Sequence, residues 1–413
     1  MIWRPFTQEK TASRPIKIKK GCGAYLISED GSKYTDMTSS WFVNMHGHAH
    51  PEIAEVVGEQ AKTLEHVIFT KFSHDPAEKL VNDLSKIMPR QLNRYFFSDN
   101  GSTAVEVALK AAYQFFKNTG VENRNIFLSL DGGYYGDTFG AMSVAGVNSK
   151  YHSVFSDLFF KTLMVDVSEY HGESEINLLE EREDEIIRAL DKKLKEVGEK
   201  ICALIVEPLL QGSFGMRLYR AEFLERLVNK VREYDILVIF DEIMTGFYRT
   251  GKMFAMNYCN AVPDFVCLSK GLTGGFLPLA LTVTSEKIYD AFLSDDKRKT
   301  FLHGHSYTAN PISCAAACKS LEILLREDTL KRIKEISDFH RNHNFPNATK
   351  RRSLGTVTAF DVDSDEKANF IVDKALENGI FLRPLANTIY IFPPYCVSDE
   401  DLEKTYTTIN KYL

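Results

Sequence analysis

An aspartate and a lysine stand at the ends of two apolar runs in the middle of this chain. The run 236–240 leads straight into Asp241-Glu242, and the run 265–268 leads into Ser269-Lys270-Gly271. A carboxylate at the end of a fully apolar strand loses its water and needs a partner. A lysine in such a place is costly to keep charged, and desolvation moves it toward a neutral, nucleophilic amine. A third run, Tyr95-Phe96-Phe97, ends in Ser98-Asp99-Asn100-Gly101-Ser102. The helical pattern that follows puts Val105, Ala108, Leu109 and Ala112 on one face. A small, hydroxyl-bearing turn at a helix N-terminus offers N–H groups and the positive dipole end, a ready phosphate site. Each feature alone has an ordinary reading as a helix cap or a surface lysine. Together they match what pyridoxal phosphate requires: an amine for its aldehyde, a carboxylate for its ring nitrogen, a helix N-terminus for its phosphate, an aromatic lid. Tyr134, in Asp131-Gly132-Gly133-Tyr134-Tyr135-Gly136-Asp137 after the run 126–130, can supply the lid.

The elements that must position these residues are short apolar runs at 95–97, 126–130, 203–206, 236–240, 265–268 and 279–283, with helical stretches between many of them. Continuous apolar runs suit a mostly parallel sheet covered on both faces, hence an α/β fold with right-handed crossovers. Ligands of such sheets bind outside the carboxyl ends of the strands, where the reactive residues stand. Residues 173–200 are dense in charge and read as one or two solvated helices. From about Phe301 the character changes: a small-residue helix over 310–325, a charged helix, a loop around 344–352, and strands near 356–360 and 389–392. The expected division is an N-terminal segment 1–48 packed with a small α+β unit 301–413, and a large α/β unit 49–300.

The chain has 413 residues, 44% hydrophobic and 26% charged, with 50 Lys plus Arg against 56 Asp plus Glu, a net charge of −6. No basic cluster marks a nucleic-acid face. No apolar run approaches the ~18 residues that span a bilayer. The N-terminus lacks the layout of a signal peptide. The seven cysteines are scattered and read as buried reduced thiols, which places the protein in the cytoplasm. Three decoys fail. Gly246 to Lys252 fits a nucleotide P-loop except that Met253 takes the place of the hydroxyl. Gly21-Cys22-Gly23 has Leu26 at the third glycine position of a dinucleotide loop. His46, His48, His50, His303 and His305 lack the cysteine or carboxylate that would complete a metal set, and read as turn and packing residues.

The motifs resemble the class III aminotransferases of fold type I over most of the chain. The stretches Ile205-Val206-Glu207-Pro208, Phe240-Asp241-Glu242-Ile243-Met244-Thr245-Gly246-Phe247 and Leu268-Ser269-Lys270-Gly271 carry that likeness. Trp3-Arg4-Pro5-Phe6-Thr7, Ser39-Ser40-Trp41, Tyr134-Tyr135-Gly136-Asp137 and Arg383-Pro384 are similar to the branch of the class that serves biotin biosynthesis. The resemblance implies that Lys270 forms the Schiff base, Asp241 pairs with the ring nitrogen and Tyr134 stacks on the ring. It further implies that Gly101 and Ser102 bind the phosphate, with Glu207 also lining the cofactor. Gly304, His305 and Ser306 would reach the partner's site in a homodimer with shared active sites. Phe6, Trp41, Arg383 and Tyr390 would line the substrate, with Trp41 along its aliphatic part and Arg383 on its carboxylate. The implied reaction is transamination of 8-amino-7-oxononanoate to 7,8-diaminononanoate, with S-adenosylmethionine or lysine as donor. The rivals are another ω-aminotransferase of the class (ornithine, acetylornithine or 4-aminobutyrate type), an aminomutase using the same cofactor, and a non-catalytic binding module.

Overall fold

A computed structural model describes residues 2–146, 153–170 and 176–413. The six apolar runs become strands of one seven-stranded sheet, joined by Thr162–Val165. In spatial order these are Leu92–Ser98, Ala280–Ser285, Phe265–Leu268, Leu237–Asp241, Ile201–Val206, Ile126–Leu130 and Thr162–Val165. Six strands point the same way. Ala280–Ser285 runs antiparallel to both neighbours. The reason is local: the link 269–279 is shorter than the dozen or so residues that a parallel crossover needs.

Side chains alternate across a strand, and here both faces are buried. Leu204, Val238, Phe240 and Val266 pack into one core, with Leu224 and Leu227 of the helix Ala221–Arg232. Ala203, Ile205, Ile239 and Phe265 pack into the other, with Val105, Ala108 and Ala112 of the helix Gly101–Asn118. The mostly parallel, helix-covered sheet is therefore the one expected. The helix Pro311–Leu324, which composition groups with the C-terminal unit, sends Cys314, Ala317, Leu321 and Leu324 into the first of these cores.

Two four-stranded sheets lie outside this one, and the first joins the chain's two ends. Ile18–Cys22, Tyr25–Ser28 and Lys33–Asp36 take on Ile380–Phe381, which pairs parallel with Lys33–Asp36. Thr349–Leu354, Val357–Asp361, Thr388–Ile391 and Pro384–Leu385 form the other. Three expectations need correction. The stretch 344–352 is not all loop, because Thr349–Leu354 pairs with Val357–Asp361. Its charges hid a strand in which Arg352 is buried, donating to the Gly215 carbonyl and to Asp361. The charged tract gives one helix, Ile176–Val197, and its first residues, 173–175, lie outside the described residues. That helix is not simply solvated. It buries Leu179, Ile186, Leu190 and Leu194, along with Glu183, whose carboxylate accepts from Arg220 at 3.0 and 2.6 Å. The cysteines are all free thiols, but only four are buried. Cys259 is half-buried, and Cys22 and Cys396 are exposed. No helix of the described residues is long and apolar enough to cross a membrane.

Candidate active site

Parallel strands gather the residues that follow them along one edge. Glu207 comes directly after Ile201–Val206, Asp241 ends its strand, and Lys270 lies two residues beyond Phe265–Leu268. Asp241 is 4% exposed and Glu207 5%. Asp241 Oδ1 accepts the Ile243 N–H at 2.9 Å. Glu207 accepts the N–H groups of Tyr134 at 2.9 Å and Gly212 at 3.1 Å. Burial pushes Asp241 well above the usual carboxylate range, and the charge of Glu207 adds to it. Burial also raises Glu207, to about 7, against the pull of its two N–H donors. Desolvation moves Lys270 downward, while Asp241 and Glu207 oppose that. The pair is a carboxylate short of a cation beside an amine inclined to lose its proton.

The helix Gly101–Asn118 begins where the sequence expects a phosphate to be held. Asn100 caps it, its side chain accepting the Thr103 N–H at 3.1 Å while Thr103 Oγ1 accepts the Asn100 N–H at 3.1 Å. This reciprocal cap leaves the Gly101 and Ser102 N–H groups, at the positive end of the dipole, without an intrahelical partner and so suited to an anion. Gly136, at φ 121°, closes the cradle: a Cβ there would overlap the Ser102 hydroxyl. The Asp137 N–H points to that hydroxyl at 3.4 Å, and the Tyr134 hydroxyl donates to Asp137 at 2.9 Å. Burial raises the Tyr134 pKa, and Asp137, Glu207 and Asp241 add to it, so Tyr134 shares the field of both acids. A helix N-terminus, a desolvated carboxylate, a lysine and a ring suit pyridoxal phosphate.

The substrate-side residues are also brought together. The Arg383 guanidinium lies 4.5 Å from the Trp41 ring centre. Phe6 meets the same ring edge-on at 5.8 Å. Tyr390 is fully buried, its hydroxyl has no hydrogen-bond partner among the described residues, and its ring lies 5.6 Å from Phe42. Phe42 in turn is 5.3 Å from Lys270 Nζ, so one ring connects the two sides. Trp41 and Phe42 belong to the turn Ser39–Phe42, where φ is 48°, 48°, 65° and 73°. L-residues pay about 1–2 kcal/mol each for left-handed helical geometry, so something must hold this turn.

Gly304, His305 and Ser306 stand apart. Within one chain their loop leans on its neighbours instead: Phe301 packs edge-on against Phe96, His303 accepts from Lys110 at 2.9 Å, and Tyr307 packs on His66. Histidines 46 and 48 have structural partners, Ser320 at 3.1 Å and Asp36 at 3.0 Å. The sequence assigns no site role to Phe42 or Asp36, and has Gly136 and Asp137 only as members of the motif around Tyr134. The glycine density around Tyr134 was a usable signal for Gly136. Nothing local marked Phe42 or Asp36.

The profile of the family Aminotransferase class-III matches residues 6–413. A relative from Synechococcus elongatus, adenosylmethionine-8-amino-7-oxononanoate aminotransferase, is 45% identical and aligns over 99% of this chain and 97% of its own. The crystal structure of the aminotransferase of that name from Methanocaldococcus jannaschii has a TM-score of 0.87 at 33% identity, covering 99% of this chain and 97% of its own. An amine transaminase from an uncultivated Pseudomonas species, solved in its PLP-bound form, has a TM-score of 0.87 at 26% identity over 100% of this chain and 98% of its own. With the sheet, the strand-end acid and lysine, and the phosphate cradle in place, the chain belongs to the class-III aminotransferases, fold type I enzymes that work with pyridoxal phosphate.

Proposed function

We propose that the chain transfers an amino group from S-adenosylmethionine to 8-amino-7-oxononanoate, giving 7,8-diaminononanoate in biotin biosynthesis. The observation that carries the acceptor is Arg383 stacked on Trp41 at 4.5 Å. A planar guanidinium suits a carboxylate, and the aromatic wall beside it suits an aliphatic chain. The names of the relatives support both substrates.

When bound, the cofactor supplies a carbon that takes up the amino group and a ring that accepts electrons released at the substrate carbon. Gly101 and Ser102 would hold its phosphate, and Tyr134, anchored by its N–H on Glu207, would cover its ring. Asp241 would pair with the ring nitrogen, which provides the cation that its burial demands. Lys270 Nζ would hold the reactive end and then take and return a proton at the reacting carbon. Desolvation suits it to that work, and a placed base contributes ~10²–10⁴-fold. In this reading the unit 49–300 holds the cofactor, while segment 1–48 and unit 301–413 provide the acceptor side. Gly304, His305 and Ser306 would complete the site of a second copy, making a homodimer. A fully active monomer by light scattering would remove that part. The free thiols suit the cytoplasm.

The test supplies purified protein with the keto acid acceptor and either S-adenosylmethionine or lysine, and follows 7,8-diaminononanoate by mass. Product with S-adenosylmethionine is expected. Turnover of ornithine, acetylornithine or 4-aminobutyrate, with the acceptor untouched, would replace this reading.

A further inference from the structure

Three residues before the left-handed turn stands a carboxylate with no solvent exposure, Asp36. Its Oδ1 accepts the Thr38 N–H at 3.2 Å and the Thr38 hydroxyl at 3.0 Å. Its Oδ2 accepts the Ser40 hydroxyl at 2.7 Å and faces His48 Nε2 at 3.0 Å. The His48 Nδ1 lies 2.9 Å from the Asn44 amide nitrogen. That amide can only donate, so Nδ1 accepts and Nε2–H points at Asp36. Donors thus converge from before, within and after the turn. Burial alone would raise the pKa of this carboxyl, but the His48 and Ser40 hydrogen bonds outweigh burial and hold it below the usual value.

The turn is bolted elsewhere too, by the Ser39 hydroxyl on the Phe392 carbonyl at 2.7 Å and the Phe42 N–H on the Thr38 carbonyl at 3.0 Å. The Asp36 contacts include one to Ser40, the exposed residue next to Trp41. A buried charge costs more than a neutral turn would, and what this one holds is the segment that carries Trp41 and Phe42.

We infer that Asp36 is a positioning residue: it locks Ser39–Phe42 in left-handed form, so that Trp41 lies under Arg383 and Phe42 beside Lys270 before the acceptor arrives. The link to the acceptor rests on the function proposed above, whereas the link to Trp41 does not.

The chain has two tryptophans, Trp3 and Trp41, so in a Trp3→Phe background Trp41 is the sole indole. In that background, with cofactor bound, three variants are compared: Asp36→Asn, Ser40→Ala and Ser40→Gly. Alanine loses the hydrogen bond and keeps the left-handed strain, while glycine loses both. Asp36→Asn and Ser40→Ala should at least double acrylamide quenching of Trp41. They should raise the acceptor KM about tenfold, the loss of one charge-assisted hydrogen bond. Ser40→Gly should recover most of that KM. Unchanged quenching in both Asp36→Asn and Ser40→Ala would overturn the inference, as would equal damage in Ser40→Ala and Ser40→Gly. If Asp36→Asn does not fold, the Ser40 pair decides alone. Raised quenching with a normal acceptor KM, in these variants and in Arg383→Ala alike, leaves the turn assignment standing and sinks the acceptor assignment.

Discussion

The cofactor side and the substrate side of this site are built in opposite ways. Asp241, Glu207 and Lys270 sit at the ends of neighbouring core strands, whose register pairs Phe240 with both Val206 and Val266. Backbone ladders and two cores hold them, so a low-dielectric environment shifts their pKa values without strain in the strands themselves. Trp41 and Phe6, at 41% and 62% exposure, hang from a left-handed turn and an N-terminal segment instead. Arg383 reaches Trp41 from the far end of the chain. In the reading proposed above, reaction chemistry belongs to the middle of the chain and substrate choice to the place where its two ends meet. The physical difference is that strand ends are positioned by many shared contacts, whereas the turn is held by a few hydrogen bonds, among them those to Asp36 and that of the Ser39 hydroxyl to the Phe392 carbonyl.

The comparison breaks most sharply at Lys270. Lys270→Ala removes both the hold on the cofactor and the mobile proton, so turnover should fall at least about 10⁴-fold. Borohydride should fix cofactor mass to the wild-type peptide bearing Lys270 and to none in the variant. Labelling elsewhere would show that the strand-end lysine is not the anchor. Asp241→Asn comes next. It keeps the size of the side chain but cannot hold a cation, so borohydride labelling should persist while turnover drops about 10²–10³-fold. Turnover within a few-fold of wild type would mean that the acid merely caps the Ile243 N–H.

The third test concerns the stability of the cofactor-free chain. Glu207 is raised to about 7 from 4.5, so the folded state binds the extra proton between those pH values. Stability from this group is therefore complete below about pH 4.5 and is lost as pH rises through about 7, by up to about 3 kcal/mol. Glu207→Gln should remove that part of the slope, read as the wild-type-minus-variant difference in denaturant midpoint across pH 5–8 (a window of about three units). An identical pH profile would mean that the site does not desolvate Glu207. The smallest effect belongs to the substrate side. Arg383→Ala should raise the acceptor KM by about 10- to 150-fold, the worth of a hydrogen bond to a charged group. The cofactor's absorbance should stay as it was. Unchanged kinetics with the keto acid would confine the Arg383–Trp41 stack to structure.

Much of the cofactor side was legible in the chain itself. Apolar runs announce buried strands because only side chains that shed water can fill both faces of a covered sheet. A reactive residue directly after such a run must then lie at the sheet's edge, which is how Asp241, Lys270 and the Gly101-Ser102 turn came into view. The reversed direction of Ala280–Ser285 follows from the short link before it, a length that the sequence carries. The strand hidden in the arginines at 351 and 352 was not legible, because it depends on partners such as Gly215 and Asp361 that local pattern does not include. The substrate side was legible only as a resemblance. Its geometry requires Arg383 to meet Trp41, Phe392 to receive Ser39, and Asp36 to gather Thr38, Ser40 and His48. Local sequence determined which residues lose water and where strands end, because burial follows from side-chain type and period. Only the tertiary structure decided that four ordinary L-residues would stand left-handed: Asp36 and Thr38 are near in sequence, but the Phe392 carbonyl that holds Ser39 and the His48 ring that faces Asp36 are brought there by folding.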